Sequence, residues 1–271
     1  MEDFLIPGVH YTLENNVLIK WRDLRGDSTL IPVQLSNYVL RTKFIRPFQV
    51  YLYLKSICSG KIKKEKIDFN QLAKKLNLKS EKRIQNSINL LLKVNWIGYN
   101  VKNNCYYIRS FEKVIFLESL TQSRTASEFF YSDIKKIKSF CIASVIGSLI
   151  NRMKRRAWFL GREKGRPFHA THALSFYPVA NDFLAKVLGI SKTTAYRYKL
   201  ACEKAKYIKI KKTFQTTKFT LANANFFRRV NPEYANRIRI RNKVIVIQQP
   251  DTINHCIRFK RRKKMKPFIK G

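Results

Sequence analysis

The run Leu184-Ala-Lys-Val-Leu-Gly-Ile-Ser-Lys-Thr-Thr-Ala-Tyr-Arg-Tyr198 leaves this chain few ways to fold. Gly189 stands between two helical patterns, at the place where a left-handed backbone ends the first helix without a steric cost. Ser191 follows, a residue that caps the next helix by accepting from a free backbone N–H. Ala185 is small where two helices would cross closely, and Ile190 supplies an apolar plug behind the turn. The pattern predicts a short helix over Pro178–Leu188, a tight turn, and a second helix from Ser191 to about Lys206 lying across the first. On the second helix Ala195, Tyr198, Cys202 and Ala205 recur at spacings of three, four and three and are expected to face inward. The opposite face carries Thr193, Tyr196, Arg197, Leu200 and Lys204, with Ser191, Lys192 and Thr194 at the N-terminal end.

A weaker copy of the same signals occurs upstream, in Leu72-Ala-Lys-Lys-Leu-Asn-Leu-Lys-Ser-Glu-Lys-Arg-Ile-Gln-Asn-Ser-Ile88. Ala73 holds the small position, Leu78 the plug, and Asn77 replaces the turn glycine, which asparagine can do because it tolerates the left-handed conformation. Ile84, Ile88, Leu91 and Leu92 form the inward stripe; Lys82, Arg83, Asn86, Asn89 and Lys93 point out, with Gln85 on the flank. A helix from Pro47 to about Ser59 precedes this pair, and Asp68 is placed to cap Phe69–Leu76. Each pair of helices is followed by runs rich in aromatic and β-branched residues that flank a turn. One is Trp96–Arg109 around Lys102-Asn103-Asn104; the other is Tyr207–Leu221, with its turn expected near Gln215-Thr216-Thr217.

Helix, helix, helix, hairpin is the order of a winged helix, and it is read twice. The expected fold is mainly α with small β-hairpin wings, in the α+β class: two tandem winged-helix, or helix-turn-helix, domains. The expected boundaries are an N-terminal arm or short strands over 1–44, a first winged helix over 45–112, and a linker over 113–131. A second winged helix over 132–225, a C-terminal strand extension over 226–257 and a basic tail over 258–271 follow.

Charge narrows the partner. The 55 Lys and Arg against 17 Asp and Glu give a formal net charge of +38 at pH 7, far from an ordinary neutral enzyme. With 45% hydrophobic and 13% aromatic residues, the bases sit on a folded scaffold rather than on a disordered basic peptide. A polyanion is the natural partner, since Lys and Arg on phosphate release condensed counterions. The most apolar run, Ser139–Ile150, is too short to span a bilayer, and the start Met1-Glu-Asp-Phe-Leu-Ile-Pro lacks the form of a signal peptide. No membrane partner and a cytoplasmic location in a bacterial or phage-infected cell are expected. Five widely spaced cysteines with no Cys-x-x-Cys pair read as thiols in a reducing compartment, with neither metal nor cofactor implied.

The run at 184–198 closely resembles the helix-turn-helix signature of resolvase C-terminal domains and many bacterial regulators. The resemblance implies that the start of the second helix enters a major groove of double-stranded DNA. Arg197 would then meet guanine O6 and N7, Thr193 a base or phosphate, and Leu200 or a threonine methyl a thymine methyl. The bland alternative is a solvated polar helix face that only supports the fold. In the first copy Gln85 and Asn86 suit adenine, while dimerisation or protein docking fits that copy as well.

Lys209, Lys211, Lys212 and Lys218 on the second hairpin, and Lys102 on the first, are candidate phosphate contacts. The tail residues Lys260, Arg261, Arg262, Lys263 and Lys264 would add non-specific ones, at a salt slope of about −0.9 per phosphate. The tandem arrangement, over roughly residues 45–225, is similar to plasmid replication initiators of the tandem winged-helix type. That family implies repeated origin sites, dimers or arrays on DNA, and recruitment of host replication proteins. A phage or mobile-element transcriptional regulator shares this chemistry. A basic structural or packaging protein, within a virion, is the alternative of another class.

Enzymes acting on DNA fit less well. His169-Ala-Thr-His172 has two intervening residues, so on a strand its histidines would face opposite sides, unlike a relaxase pair. His255-Cys-Ile-Arg258 matches half of a tyrosine-recombinase motif, but no tyrosine follows Tyr234. A serine recombinase needs a catalytic domain where the first helix-turn-helix already lies. No phosphate loop or dinucleotide fingerprint is present, so no catalytic residue is expected.

Overall fold

The computed structural model describes residues 10–14, 17–21, 28–58, 60–78, 80–121, 123, 125–163 and 176–261. Helix and strand are mixed in an α+β architecture, in two units: residues up to Val145 together with those from Ile257 on, and Ile146–Cys256.

In the first unit, β1 (His10–Glu14) and β2 (Val17–Trp21) form an antiparallel hairpin. β3 (Ser28–Pro32) leads into α1 (Val33–Arg41) and α2 (Ile45–Ile57). Then come β4 (Lys61–Lys63), α3 (Phe69–Leu76), α4 (Glu81–Lys93), β5 (Ile97–Asn100) and β6 (Cys105–Ile108). β6 lies between β4 and β5 in an antiparallel sheet. α5 (Phe111–Leu117) and β7 (Thr125–Phe130) follow, and the division between the units falls within α6 (Ile137–Glu163).

The core of this unit is aromatic. Phe48, Tyr51 and Trp96 are fully buried, and the Trp96 ring meets Tyr51 and Phe44 edge-on at centroid distances of 5.5 and 5.1 Å. The indole Nε1 of Trp96 donates to Glu118 Oε1 at 2.6 Å, and the Tyr38 hydroxyl donates to Oε2 of the same carboxylate. Burial foremost, then the Glu118 carboxylate, raises the Tyr38 phenol to about 12. Gln49, buried on α2, donates to the carbonyls of Leu76 at 3.2 Å and Ile134 at 3.0 Å. It thereby satisfies an otherwise orphaned carbonyl at the end of α3.

The second unit begins with the rest of α6 and continues through β8 (Tyr177–Pro178), α7 (Asn181–Leu188), α8 (Lys192–Lys204) and β9 (Ile208–Lys211). Next are β10 (Phe214–Thr220), α9 (Ala224–Val230), β11 (Ile238–Arg241), β12 (Val244–Gln248) and β13 (Thr252–His255). Here β13 lies between β8 and β9, while β12 lies between β10 and β11.

One order therefore occurs in both units: helix, strand, helix, helix, strand, strand, with the last strand inserted between the first two. It is α2, β4, α3, α4, β5, β6 in one and α6, β8, α7, α8, β9, β13 in the other. The units differ in what joins their last two strands. In the first this is the short turn 101–104; in the second it is residues 212–251, which form a sheet and helix with their own apolar cluster. Ala224, Phe227, Ile238, Ile245 and Ile247 are buried there, with Phe219 and Tyr234 packed against them.

Several expectations are corrected. The chain does not turn at Gln215-Thr216-Thr217, so Tyr207–Leu221 is no hairpin. Ile208 pairs with His255 and Lys211 with Thr252, and the same ribbon continues as Phe214 with Gln248 and Thr216 with Val246. Residues 212–213 on one strand face 249–251 on the other, an extra residue on the return strand beside Pro250, which has no N–H to donate. The threonines at 216 and 217 are β-branched and suit a strand. The tight turn is instead Asn242-Lys243, with φ of 48° and 62°, as a two-residue hairpin turn requires.

The expected linker 113–131 contains most of α5 and all of β7, which is the central strand of its sheet with β3 on one side. β14 (Phe259–Arg261) lies in the expected basic tail, but it pairs with β7 as a strand. The expected arm includes the helix α1, and strands are not confined to wings. α6 runs on to residue 163; residues 164–175, His169 and His172 among them, lie outside the described residues.

Candidate nucleic-acid interface

The two turns that the sequence singled out have the same geometry. Gly189 ends α7 at φ 65° and ψ 41°, and Asn77 ends α3 at φ 53° and ψ 46°. Ile190 N–H then donates to Ala185 O at 3.0 Å, and Leu78 N–H to Ala73 O at 2.8 Å, so each plug residue closes the helix before it. Leu184, Ala185 and Leu188 are buried in one, Leu72, Ala73 and Leu76 in the other.

α8 starts as expected. Ser191 Oγ accepts from Thr194 N–H at 3.2 Å, and the two hydroxyls are 2.9 Å apart. Thr194 is therefore half-buried in the cap rather than presented outward. Ser191, Lys192, Thr193, Tyr196, Arg197, Leu200 and Lys204 are exposed together along the helix. Lys192 forms an ion pair with Asp182 at 3.0 Å, with both side chains more than half exposed; such a pair is held weakly and yields readily to a competing anion.

The inner face of α8 differs from the expected one. Ala195, Lys199 and Cys202 are buried, whereas Tyr198 and Ala205 are half-buried. Lys199 is 1% exposed; its ammonium donates to Val179 O and stands 3.9 Å from Asp251 Oδ2. Burial pushes the Lys199 ammonium below its ordinary pKa, and the Asp251 charge works against that shift. Because Asp251 O also accepts from Val179 N–H at 3.0 Å, the ammonium ties α8 to a strand junction already joined by backbone.

On α4, Lys82, Asn86, Asn89 and Lys93 are exposed, while Arg83, Gln85 and Leu92 are half-buried. Gln85 Nε2 donates to Asn89 Oδ1 at 3.3 Å, so these two amides are partnered with each other. Lys102 is exposed in the β5–β6 turn, above a shallow depression lined by Gly98, Tyr99, Tyr107 and Arg109. Asn95 holds the Arg109 guanidinium through its carbonyl at 3.2 Å and its side-chain oxygen at 2.9 Å, which fixes a cation beside Tyr107.

Lys209, Lys211, Lys212 and Lys218 are exposed as expected, but on the long ribbon and its sheet rather than on one short hairpin. Lys260 is exposed as well, with its ammonium on Glu128 Oε1 at 2.7 Å across β14 and β7. Arg261 is exposed on β14, and Arg262, Lys263 and Lys264 lie outside the described residues. Arg239 and Arg241 are exposed on β11, within the expected C-terminal strand extension.

Among the described residues, no group of His, Cys, Asp and Glu is arranged to hold a metal ion, and no helix is long and apolar enough to cross a membrane. No protein-family model, no curated protein and no solved structure matches the chain.

Proposed function

We propose that the chain is a double-stranded DNA-binding protein built on two tandem winged helices, with α8 as the reading helix, and that it acts as a replication initiator of a plasmid, phage or mobile element. One observation carries the reading. The order helix, strand, helix, helix, strand, strand occurs twice with the same strand arrangement, and in the second copy the capped start of α8 exposes Thr193, Tyr196, Arg197 and Leu200. The net charge of +38 adds sequence-independent attraction to phosphate. An exposed guanidinium one turn into such a helix has the reach and the donor geometry for guanine O6 and N7.

The test is selection of preferred duplexes from a random pool at rising salt, with the full chain and with Arg197→Ala. A defined motif should emerge from the unaltered protein. The variant should lose discrimination at about one base pair, ~1 to 3 kcal/mol, while retaining the rest of the motif. Equal weakening on every duplex would count against groove reading by Arg197. Origin-dependent replication of a plasmid bearing the selected motif then separates an initiator from a repressor.

A further inference from the structure

The segment 212–251 enlarges the ribbon of the second unit into a separate sheet, and its two faces are unlike. Directly opposed residues share a face, so the register puts Ile238, Ile240, Ile245 and Ile247 on the side of the apolar cluster. The other face carries Arg239 and Arg241 on β11, Val244 and Val246 on β12, and Phe214 and Thr216 on β10. Thr220 returns to this face opposite Val244 beyond an irregularity in β10, and Lys218, within that irregularity, alternates with Phe219, which packs on the apolar cluster. Arg239, Arg241, Lys218, Thr216 and Thr220 are exposed.

Two features distinguish this face from an ordinary solvated sheet. The Arg241 guanidinium lies 3.7 Å from the centre of the Phe214 ring, a diagonal contact across the sheet that holds this cation in place over the face. The charge of the segment is also one-sided. It contains eight Lys and Arg, all exposed, against two acids, Glu233 and Asp251, and Asp251 is buried beside Lys199. Such a field repels itself unless an anion covers it.

We propose that this face is a second DNA contact, gripping duplex phosphates through Arg239, Arg241 and Lys218, with the Thr216 hydroxyl as a neutral donor. The proposal rests on the DNA-binding reading above and extends it to a surface with no part in sequence choice. The occupant is the duplex backbone, because the face offers exposed cations and hydroxyls, Val246 between them is buried and Val244 half-buried, and its one aromatic ring is already covered by Arg241. A single strand would need free rings for its bases to stack on.

The experiment is a salt titration of binding by the full chain to its selected duplex, to an unrelated duplex and to a single strand of the same sequence. The variant Lys218→Gln/Arg239→Gln/Arg241→Gln removes up to three phosphate contacts, so the slope of log affinity against log salt should shrink by about 2.7. Between 50 and 200 mM salt the unaltered chain should then lose about 40-fold more affinity than the variant, equally on both duplexes. Lys218→Gln/Arg239→Gln leaves the Arg241–Phe214 stack in place and should shrink the slope by about 1.8, which keeps the test decisive if the triple change unfolds the segment.

An unchanged slope in the double variant overturns the proposal, as does a loss confined to the selected duplex or to the single strand. If the unaltered chain binds no duplex at all, the DNA-binding reading falls and takes this inference with it. Binding by the unaltered chain with no effect of the variants removes the inference alone.

Discussion

Lys199→Met tests how α8 is held. Lys199 is among the largest fully buried side chains, so its replacement strands two partners at once: the Val179 carbonyl loses its side-chain donor, and the Asp251 carboxylate, 8% exposed, loses its counter-charge. Asp251 Oδ1 already has no hydrogen-bond partner, so no second donor takes over the charge. An unsatisfied buried carbonyl costs about 1 to 3 kcal/mol, and breaking a buried ion pair from one side costs about 3 to 5 kcal/mol in all. Taking ~4 kcal/mol, and an unfolding entropy of roughly 0.23 kcal/mol/K for a unit the size of Ile146–Cys256, melting of that unit should fall by roughly 17 °C.

Calorimetry or circular dichroism on the full chain reads this directly, with Lys204→Met, an exposed lysine of the same helix, as the control expected to leave melting unchanged. Adding Asp251→Asn to Lys199→Met removes the stranded charge and should restore at least half of the loss. The sign of the pH dependence follows from the lowered pKa. The folded state gives up the Lys199 proton before the unfolded chain does, so this group's contribution to stability rises as pH climbs from its folded value toward about 10.4. That rise should be missing from the variant. A melting shift below about 4 °C, or no recovery in the double variant, would refute the assignment of Lys199 as the clasp of α8.

Two further outcomes are expected. Gly189→Asn should be tolerated, because Asn77 already holds the equivalent left-handed turn, whereas Gly189→Val should lower the urea midpoint by the equivalent of about 2 kcal/mol or more; equal midpoints would show that the turn relaxes instead. Lys260→Met should make acid unfolding of the first unit begin at higher pH. The Lys260 ammonium, more than the Ser28 hydroxyl, holds the Glu128 carboxyl below its usual pKa against the opposing effect of burial. Stability from this group is present above about pH 4.3 and lost as pH falls through the folded value, which rises when Lys260 is gone. Identical acid midpoints would deny that pairing.

What could be read in the sequence was local, and what could not was set by distant partners. Gly189, Asn77, Ser191 and Asp68 act within a few residues of themselves, and each does what its chemistry suggests. Lys199 was hidden because a lysine reads as outward; its partners, Val179 and Asp251, lie 20 and 52 positions away in opposite directions along the chain. β7 was hidden because Thr-Ala-Ser lacks the alternation of a half-buried strand. As the middle of its sheet it buries Ala126, Ser127 and Phe129, and the Ser127 hydroxyl is satisfied by Ser144 at 2.7 Å and Ile31 O at 3.3 Å. The ribbon of the second unit was cut short for the same reason, since β9 finds its partner in β13, beyond the whole segment 212–251.

The scarcity of acids is itself part of the design. With 17 Asp and Glu against 55 Lys and Arg, many carboxylates could have been spent on surface ion pairs. Several serve internal donors instead. Asp68 caps α3, Glu118 holds Trp96 and Tyr38, Glu203 accepts from Ile210 N–H at 3.0 Å, and Asp251 faces Lys199. Each secures a helix end, a buried ring or a strand edge, where loss of a partner is expensive, and none of these four neutralises an exposed cation of α8, the ribbon or β11. Of the exposed cations of α8, Lys192 does meet a carboxylate, that of Asp182, in a pair so exposed that it neutralises little.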